Sequence, residues 1–153
     1  MLTAIDVANF FIYLNKKDKQ LIFDNTFLNN VIYIAQGWFS QKNDQNLINE
    51  KMYAYENGVY IESVYLAFKK YENNLINNYY GELDISKFIS IEIELLIYMY
   101  DYYCQLSADE VKKIVCNQKS PWWEAMNSEN KVVDKDAWKH FLNERKFFDN
   151  LIN

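Results

Sequence analysis

The residues that most often carry out chemistry in proteins are few in this 153-residue chain and lie far apart. His140 is the only histidine, and no serine or cysteine stands in a recognisable nucleophile motif that its imidazole could activate. Cys104 and Cys116 form neither a CxxC pair nor a cluster with zinc-ligand spacing, which predicts reduced, partly buried thiols. Glu92 and Glu94 are two positions apart, so a helix would point them to different sides as solvated carboxylates.

Sequence motifs for phosphate, dinucleotide and zincin chemistry are also missing. The chain contains no GxxxxGKS/T, no GxGxxG and no HExxH pattern. Together with the scattered titratable residues, this predicts a protein that is not an enzyme and that has no catalytic, cofactor or metal site.

Aromatic residues are the stronger candidates for function, because they make up 18% of the chain. The adjacent Trp122 and Trp123 could anchor a binding partner, since large aromatic side chains dominate interface hot spots, although core packing explains at least one of them as well. Tyr53, Tyr55 and Tyr60 allow two interpretations, the edge of a core or an exposed recognition surface, because a phenol suits both.

Charge and hydropathy narrow the partner classes. The formal net charge is −5, which argues against nucleic acid as a partner. The most apolar window, FISIEIELLIYMYDYY, contains three acidic residues within the length of a bilayer span, so no membrane segment is expected. No basic segment followed by an apolar block and a cleavage site begins the chain. We therefore expect a cytoplasmic protein.

The hydrophobic pattern predicts a mainly α-helical protein in which residues 1–153 form a single compact multi-helix domain. The chain has only three glycines and one proline, which is too few turn-forming residues for a β architecture with many tight turns. The exception lies near residues 51–60, where the alternating MYAYE could form a short strand or an extended arm. Gly58 follows at a corner where the chain turns through a positive φ or passes close to another backbone.

Capping residues and apolar periodicity predict about seven helices. These are expected over about 4–15, from Asp24 or Asn25 through Trp38, over about 61–71, over 85–104, and from Ser107, Pro121 and Asp134 onward. The helix through Trp38 carries a wide apolar stripe that would make it central, with Gly37 in close contact with a neighbouring element.

Three other helices have predicted buried faces. In the helix after Gly58 this face consists of Ile61, Val64, Tyr65, Phe68 and Tyr71. In the 85–104 helix it consists of Phe88, Ile91, Leu95, Ile97, Tyr98 and Tyr102. In the last helix it consists of Ala137, Trp138, Phe141, Leu142, Phe148 and Ile152.

Four segments in a fixed order carry a family resemblance. They are TAIDVANFFIYL, LNNVIYIAQGW from Leu28 to Trp38, MYAYENGVYIESVY from Met52 to Tyr65, and KSPWWEA. Their order and spacing resemble the Panacea domain, also called the SocA-like antitoxin domain, many members of which were labelled phage-associated proteins. The family pattern differs at a few places, because Gln-Lys is usual where Asn29-Asn30 stands, Trp where Tyr55 stands, and Pro where Val59 stands.

The resemblance implies a small helical antitoxin that binds and neutralises a toxin protein encoded beside it, without catalysis. Such a protein either hides the active surface of the toxin or serves as an adaptor that delivers the toxin to a protease. Partner binding is then expected at positions that keep the family motifs. These are Tyr33, Gln36, Trp38, Tyr55, Gly58, Tyr65, Pro121 and Trp122.

Two other functions compete with this hypothesis. One is a small phage-derived enzyme or nucleotide-binding protein, for which a convergent pocket with strongly perturbed acids would be the sign. The other is a DNA-binding phage regulator, which predicts salt-sensitive DNA affinity and is disfavoured by the acidic net charge.

Overall fold

The computed structural model describes residues 1–18 and 23–145, with side chains described up to residue 142. Within these ranges the chain forms seven α-helices and one two-stranded sheet, which confirms the mainly α-helical prediction. The elements in chain order are α1 (Ala4–Asp18), α2 (Asn25–Asn43), β1 (Tyr53–Tyr55), β2 (Gly58–Tyr60), α3 (Glu62–Ala67), α4 (Ser90–Tyr103), α5 (Ala108–Val115), α6 (Pro121–Met126) and α7 (Lys135–Arg145). Phe148 and Ile152, predicted for the face of the last helix, lie outside the described residues.

Helix α2 is the central element, as its apolar stripe predicts. Every residue from Phe27 to Ser40 is buried, and the helix packs against α1, α3, α4, α5, α7 and β2. The Asp24 carboxylate caps its first turn by accepting the backbone N–H of Phe27 at 2.8 Å. A helix enclosed on all sides cannot leave its polar side chains solvated, so these need partners within the protein.

The MYAYE segment forms a strand rather than a free arm. β1 and β2 pair in an antiparallel hairpin with Tyr53 opposite Tyr60 and Tyr55 opposite Gly58. The other edge of β1 is also occupied, because Ala54 N–H donates to Lys131 O and Val133 N–H to Met52 O, both at 2.8 Å. Hydrogen bonding on both edges keeps this three-residue strand from lying exposed and unpaired.

The predicted caps of the later helices are confirmed. The Ser107 hydroxyl accepts the Glu110 N–H at 3.0 Å while the Glu110 carboxylate accepts the Ser107 N–H, which is a capping box. Ser120 caps α6, with Pro121 at its first position. Each cap satisfies backbone donors that the first helical turn leaves unpaired.

The expectations for α4 were partly wrong. The helix begins at Ser90, after a 3₁₀ turn at Ile85–Lys87, rather than at residue 85. Its buried side chains are Leu95, Leu96, Met99, Tyr100 and Tyr103, whereas the predicted Ile91, Ile97 and Tyr98 are exposed. The helix is apolar on nearly every side, so periodicity alone could not indicate which side faces the core.

Glu92 was also predicted wrongly, because it is buried rather than solvated. Its carboxylate accepts the N–H of Ile89 at 2.9 Å and so closes the start of α4.

Helix α3 is shorter than predicted and ends at Ala67, with a 3₁₀ turn at Lys69–Tyr71 after it. Ile61, Val64 and Phe68 are buried as expected, but Tyr65 is 43% exposed. The prediction of a buried Tyr65 was therefore wrong, and its phenol ring faces out beside the hairpin. None of the helices in the described residues is both long and apolar enough to cross a bilayer.

Candidate partner-binding surface

Gln36 joins the centre of α2 to the loop that follows the helix. The side chain is fully buried, and its Oε1 accepts the backbone N–H groups of Leu47 at 2.9 Å and Ile48 at 3.0 Å. Its Nε2 donates to Asn46 Oδ1 at 2.8 Å. All of these partners precede β1, so Gln36 fixes the path of the chain into the hairpin.

Replacing Gln36 with leucine should lower the free energy of unfolding by about 2–4 kcal/mol, because two buried N–H groups lose their acceptor while the side-chain volume stays similar. Urea unfolding followed by circular dichroism measures the change. Gln41→Leu on the same helix is the matched control and should change stability by less than about 0.5 kcal/mol. Equal effects of the two substitutions would contradict the anchoring role.

Tyr33 and Trp38 are also interior residues. Tyr33 is fully buried, with its ring stacked on Trp138 at a centroid distance of 4.5 Å, and its carbonyl accepts the Trp138 Nε1–H at 3.1 Å. Burial raises the pKa of the Tyr33 phenol well above its ordinary value. Trp38 is buried and donates its Nε1–H to the hydroxyl of Tyr103 at 3.1 Å. These two residues join α2 to α7 and α4.

Asn29 and Asn30 hold the hairpin against α2. Asn30 Oδ1 accepts the Val59 N–H at 2.9 Å, and Asn30 Nδ2 donates to Asn57 O at 3.2 Å. Asn29 Oδ1 accepts the Ile61 N–H at 2.8 Å. Both side chains are buried between α2 and the hairpin, so α2 fixes the position of the corner at Gly58.

Above the α2 residues that hold the hairpin, the structure brings four tyrosines together. We name them the tyrosine cluster: Tyr53, Tyr55, Tyr60 and Tyr65. The Tyr60 ring is central, with ring centroids at 5.5 Å from Tyr53, 5.5 Å from Tyr55 and 5.9 Å from Tyr65. The three strand tyrosines are half-buried and Tyr65 is exposed. The cluster is therefore both packed and accessible, a combination of the two interpretations that the sequence left open.

The short helix α6 supports one side of the cluster. Trp122 is half-buried and donates its Nε1–H to the carbonyl of Tyr55 at 2.8 Å, while Pro121 is buried. Its neighbour Trp123 is 38% exposed. Of the two adjacent tryptophans, Trp122 therefore holds β1 in place and Trp123 reaches solvent.

Two clefts flank the tyrosine cluster. One has a volume of about 290 Å³ and the other of about 380 Å³. The first is lined by Asn25, Thr26, Asn29, Tyr55, Tyr65, Lys69, Glu72 and Asn73, and the second by Glu50, Lys51, Tyr53, Ile61, Glu62, Ser63 and Leu66. Side chains of a docked protein could enter either cleft beside the aromatic rings.

The residues capable of chemistry do not converge on this surface; His140 lines another cleft, of about 560 Å³, with Lys119, Glu124 and Asp134. Burial raises the pKa of the Cys116 thiol to about 11 and that of Cys104 well above its ordinary value, so both are protonated at neutral pH. His140 is mostly exposed and lies 3.6 Å from the Asp136 carboxylate on the same helix. Among the described residues, no group of three or more His, Cys, Asp or Glu side chains is placed to hold a metal ion.

Comparison with protein families gives one match, to the family described as antitoxin SocA-like, Panacea domain, over residues 28–123. This region covers more than half of the chain. The protein belongs to the SocA-like Panacea family. Comparisons with curated proteins and with solved structures found no significant match.

The matched Panacea region runs from the first turn of α2 to Trp123. It therefore contains the α2 residues that hold the hairpin and the whole tyrosine cluster. Helices α1 and α7 lie outside it, yet Trp138 of α7 stacks on Tyr33 inside it. Helix α7 therefore completes the core of the Panacea domain in this protein.

Two departures from the Panacea pattern are physically linked. Proline is usual at position 59 and has no N–H, whereas Val59 has one that is buried and must be paired. Asn30 supplies the acceptor, in the place where the family pattern has lysine. The hydrogen bond between Asn30 and Val59 thus holds the corner at Gly58 in this chain.

Proposed function

We propose that this Panacea domain is an antitoxin that neutralises a cognate toxin protein by binding it through the tyrosine cluster. The observation that carries the proposal is that some family-motif residues are buried whereas others are accessible. Tyr33, Gln36 and Trp38 are buried beneath the hairpin, whereas Tyr55, Tyr65 and Trp122 reach its outer side. In the proposal the buried motif residues act indirectly, by holding the outer ones in position.

Several properties of the tyrosine cluster suit protein recognition. Tyrosine offers a large contact area with few rotatable bonds, so ordering it on binding costs little entropy. The rings of the cluster already contact one another, and the hairpin is tied down from both edges, so the surface is pre-organised. Its phenol hydroxyls can also pair with polar groups of a partner.

The proposed role is binding rather than catalysis. The thiols of both cysteines are kept protonated by burial, and the one histidine is mostly exposed on α7. The net charge of −5 favours a basic toxin, such as one that acts on RNA, over nucleic acid itself. In this proposal residues 1–153 act as one unit in the cytoplasm, where they meet the toxin.

The first experiment expresses the open reading frame beside this gene in a bacterial host, with and without the protein, and follows growth. Toxicity that is relieved together with a complex that survives purification supports the proposal. Toxin levels measured in the rescued cells separate two modes of action, because hiding the toxin leaves its level unchanged whereas delivery to a protease lowers it. A toxic neighbour that this protein neither binds nor relieves would overturn the proposal.

Tyr65→Ala should weaken toxin binding about 10- to 30-fold and reduce growth rescue, because truncating an exposed aromatic anchor typically removes about 1.4–2 kcal/mol or more. Isothermal titration with the purified toxin measures the affinity. Tyr80→Ala is the matched control, because Tyr80 is also exposed and lies outside the cluster. Loss of binding with Tyr80→Ala but not with Tyr65→Ala would place the interface elsewhere.

A further inference from the structure

The outer face of α4 is an apolar surface that the tyrosine cluster does not include. Ile89 just before the helix is 56% exposed, and Ile91, Ile97 and Tyr98 are each at least 40% exposed. The ring of Tyr98 stacks on that of Tyr102 one turn later, with interplanar angle 10° and centroid distance 6.4 Å. We name Ile89, Ile91, Ile97, Tyr98 and Tyr102 the α4 outer face.

An apolar face of this kind needs an explanation, because the opposite side of α4 already supplies its share of the core. Leu95, Leu96 and Met99 are buried against the protein, and α4 packs on α1 and α2. A surface helix ordinarily has a polar outer side, whereas a helix that is apolar on all sides is normally covered on all sides. Large exposed apolar side chains gathered on one helix commonly mark an interaction site.

Charge indicates what covers the α4 outer face. Residues 88–111 contain five of the 21 acidic residues and no lysine or arginine, which leaves 16 acidic residues to balance 16 basic residues in the rest of the chain. The whole net charge of −5 therefore belongs to this segment. Glu92 and Glu110 close the starts of helices, but Glu94 and Asp101 are exposed on α4 among the apolar side chains.

We propose that the α4 outer face is a second docking surface, which takes a basic amphipathic segment of another protein. Apolar side chains of that segment would cover Ile91, Ile97 and Tyr98, and its lysine or arginine residues would pair with Glu94 and Asp101. A second copy of this chain docked face to face fits poorly, because it would bring Glu94 and Asp101 of the two copies together. An anionic membrane surface or a nucleic acid would be repelled by the same charges.

The test selects peptides of about 16 residues from a random displayed library on the immobilised full-length protein and measures their affinity in solution. We expect selected peptides to combine Lys or Arg with large apolar residues. Their affinity should fall at least about 10-fold with the double variant Glu94→Lys and Asp101→Lys and with Ile97→Ser, and should weaken with added salt. The double variant Glu124→Lys and Glu129→Lys, at exposed positions outside the α4 outer face, makes the same change in net charge and should leave the affinity unchanged. Thermal unfolding of each variant verifies that the fold is retained.

Three results would overturn the proposal. The first is that no selected peptide depends on the α4 outer face, or that the dependent ones are not enriched in basic residues. The second is a dimer in sedimentation equilibrium that Ile97→Ser dissociates, which would make a second copy the occupant. The third is flotation of the protein with phosphatidylglycerol vesicles that the same variant abolishes.

Discussion

Replacing Gly58 with valine is expected to lower the free energy of unfolding by about 3–5 kcal/mol, the largest single effect among these predictions. Gly58 has φ of +135°, a conformation that a β-branched residue adopts only with strain. A Cβ at this position would also lie 2.2 Å from Asn30 Oδ1. Asn30 would have to move, and the N–H of Val59 and the carbonyl of Asn57 would lose their partner.

Thermal unfolding followed by circular dichroism measures this change, and a fall of about 10 °C in the midpoint corresponds to the expected loss in a chain of this size. Gly81→Val separates strain from contact, because Gly81 also has a positive φ of 72° but an added Cβ there would have no other atom within 4 Å. That control should cost about 1–2 kcal/mol. Equal losses at the two positions would mean that Asn30 contributes nothing to the corner.

The Gly58 substitution should also reduce toxin binding if the proposed function holds. Gly58 pairs with Tyr55, and the next two residues lead to Tyr60, so displacement of the corner moves two members of the tyrosine cluster. The assay is carried out well below the unfolding midpoint of the variant. The loss of toxin binding should then be larger than the unfolded fraction of the protein accounts for.

Gly37→Ala is expected to cost about 2–4 kcal/mol, although alanine is favoured over glycine by about 1 kcal/mol in an open helix. A Cβ on Gly37 would lie 2.3 Å from Trp138 Nε1 and 2.7 Å from a methyl carbon of Leu142. The Trp138 ring cannot simply swing away, because it is fully buried and stacked between Tyr33 and Phe141. The new methyl group would push α7 off α2.

Urea unfolding of a double-mutant cycle tests this explanation. In a Trp138→Leu background the smaller side chain leaves room, so Gly37→Ala should cost less than in the wild type by about 1 kcal/mol or more. The helix propensity of alanine is unchanged between the two backgrounds, which makes it an internal reference. A stabilising Gly37→Ala, or identical costs in both backgrounds, would show that Gly37 is not required by the contact with Trp138.

Local sequence signals predicted the elements best where a side chain acts on its own backbone. Asp24, Ser107 and Ser120 each mark the first turn of a helix, because a short polar side chain satisfies N–H donors only a few residues away. The central position of α2 was also predictable, since its stripe is too wide for a helix with one solvated face. The positions of Ile97 and Tyr98 were not, because α4 has apolar residues on every side.

The candidate surface depended on contacts that sequence spacing does not contain. The family motifs indicated Tyr55, Tyr65 and Trp122 but also Tyr33, Gln36 and Trp38, and nothing in the residue types separated exposed from buried members. Tyr53 and Tyr60 were noticed as aromatic residues near Gly58, but only strand pairing showed that Tyr60 contacts the other three.

By itself, then, the sequence determined that this protein is mainly helical, that α2 is its centre, where the helices capped by Asp24, Ser107 and Ser120 begin and which family it belongs to. These properties follow from interactions within a few residues and from motifs in a fixed order. The tertiary structure alone decided which motif residues are covered, which side of α4 is exposed and which rings form the tyrosine cluster. Burial is a property of neighbours that lie far away in the chain, such as Trp138 beside Gly37, and one local segment cannot specify them.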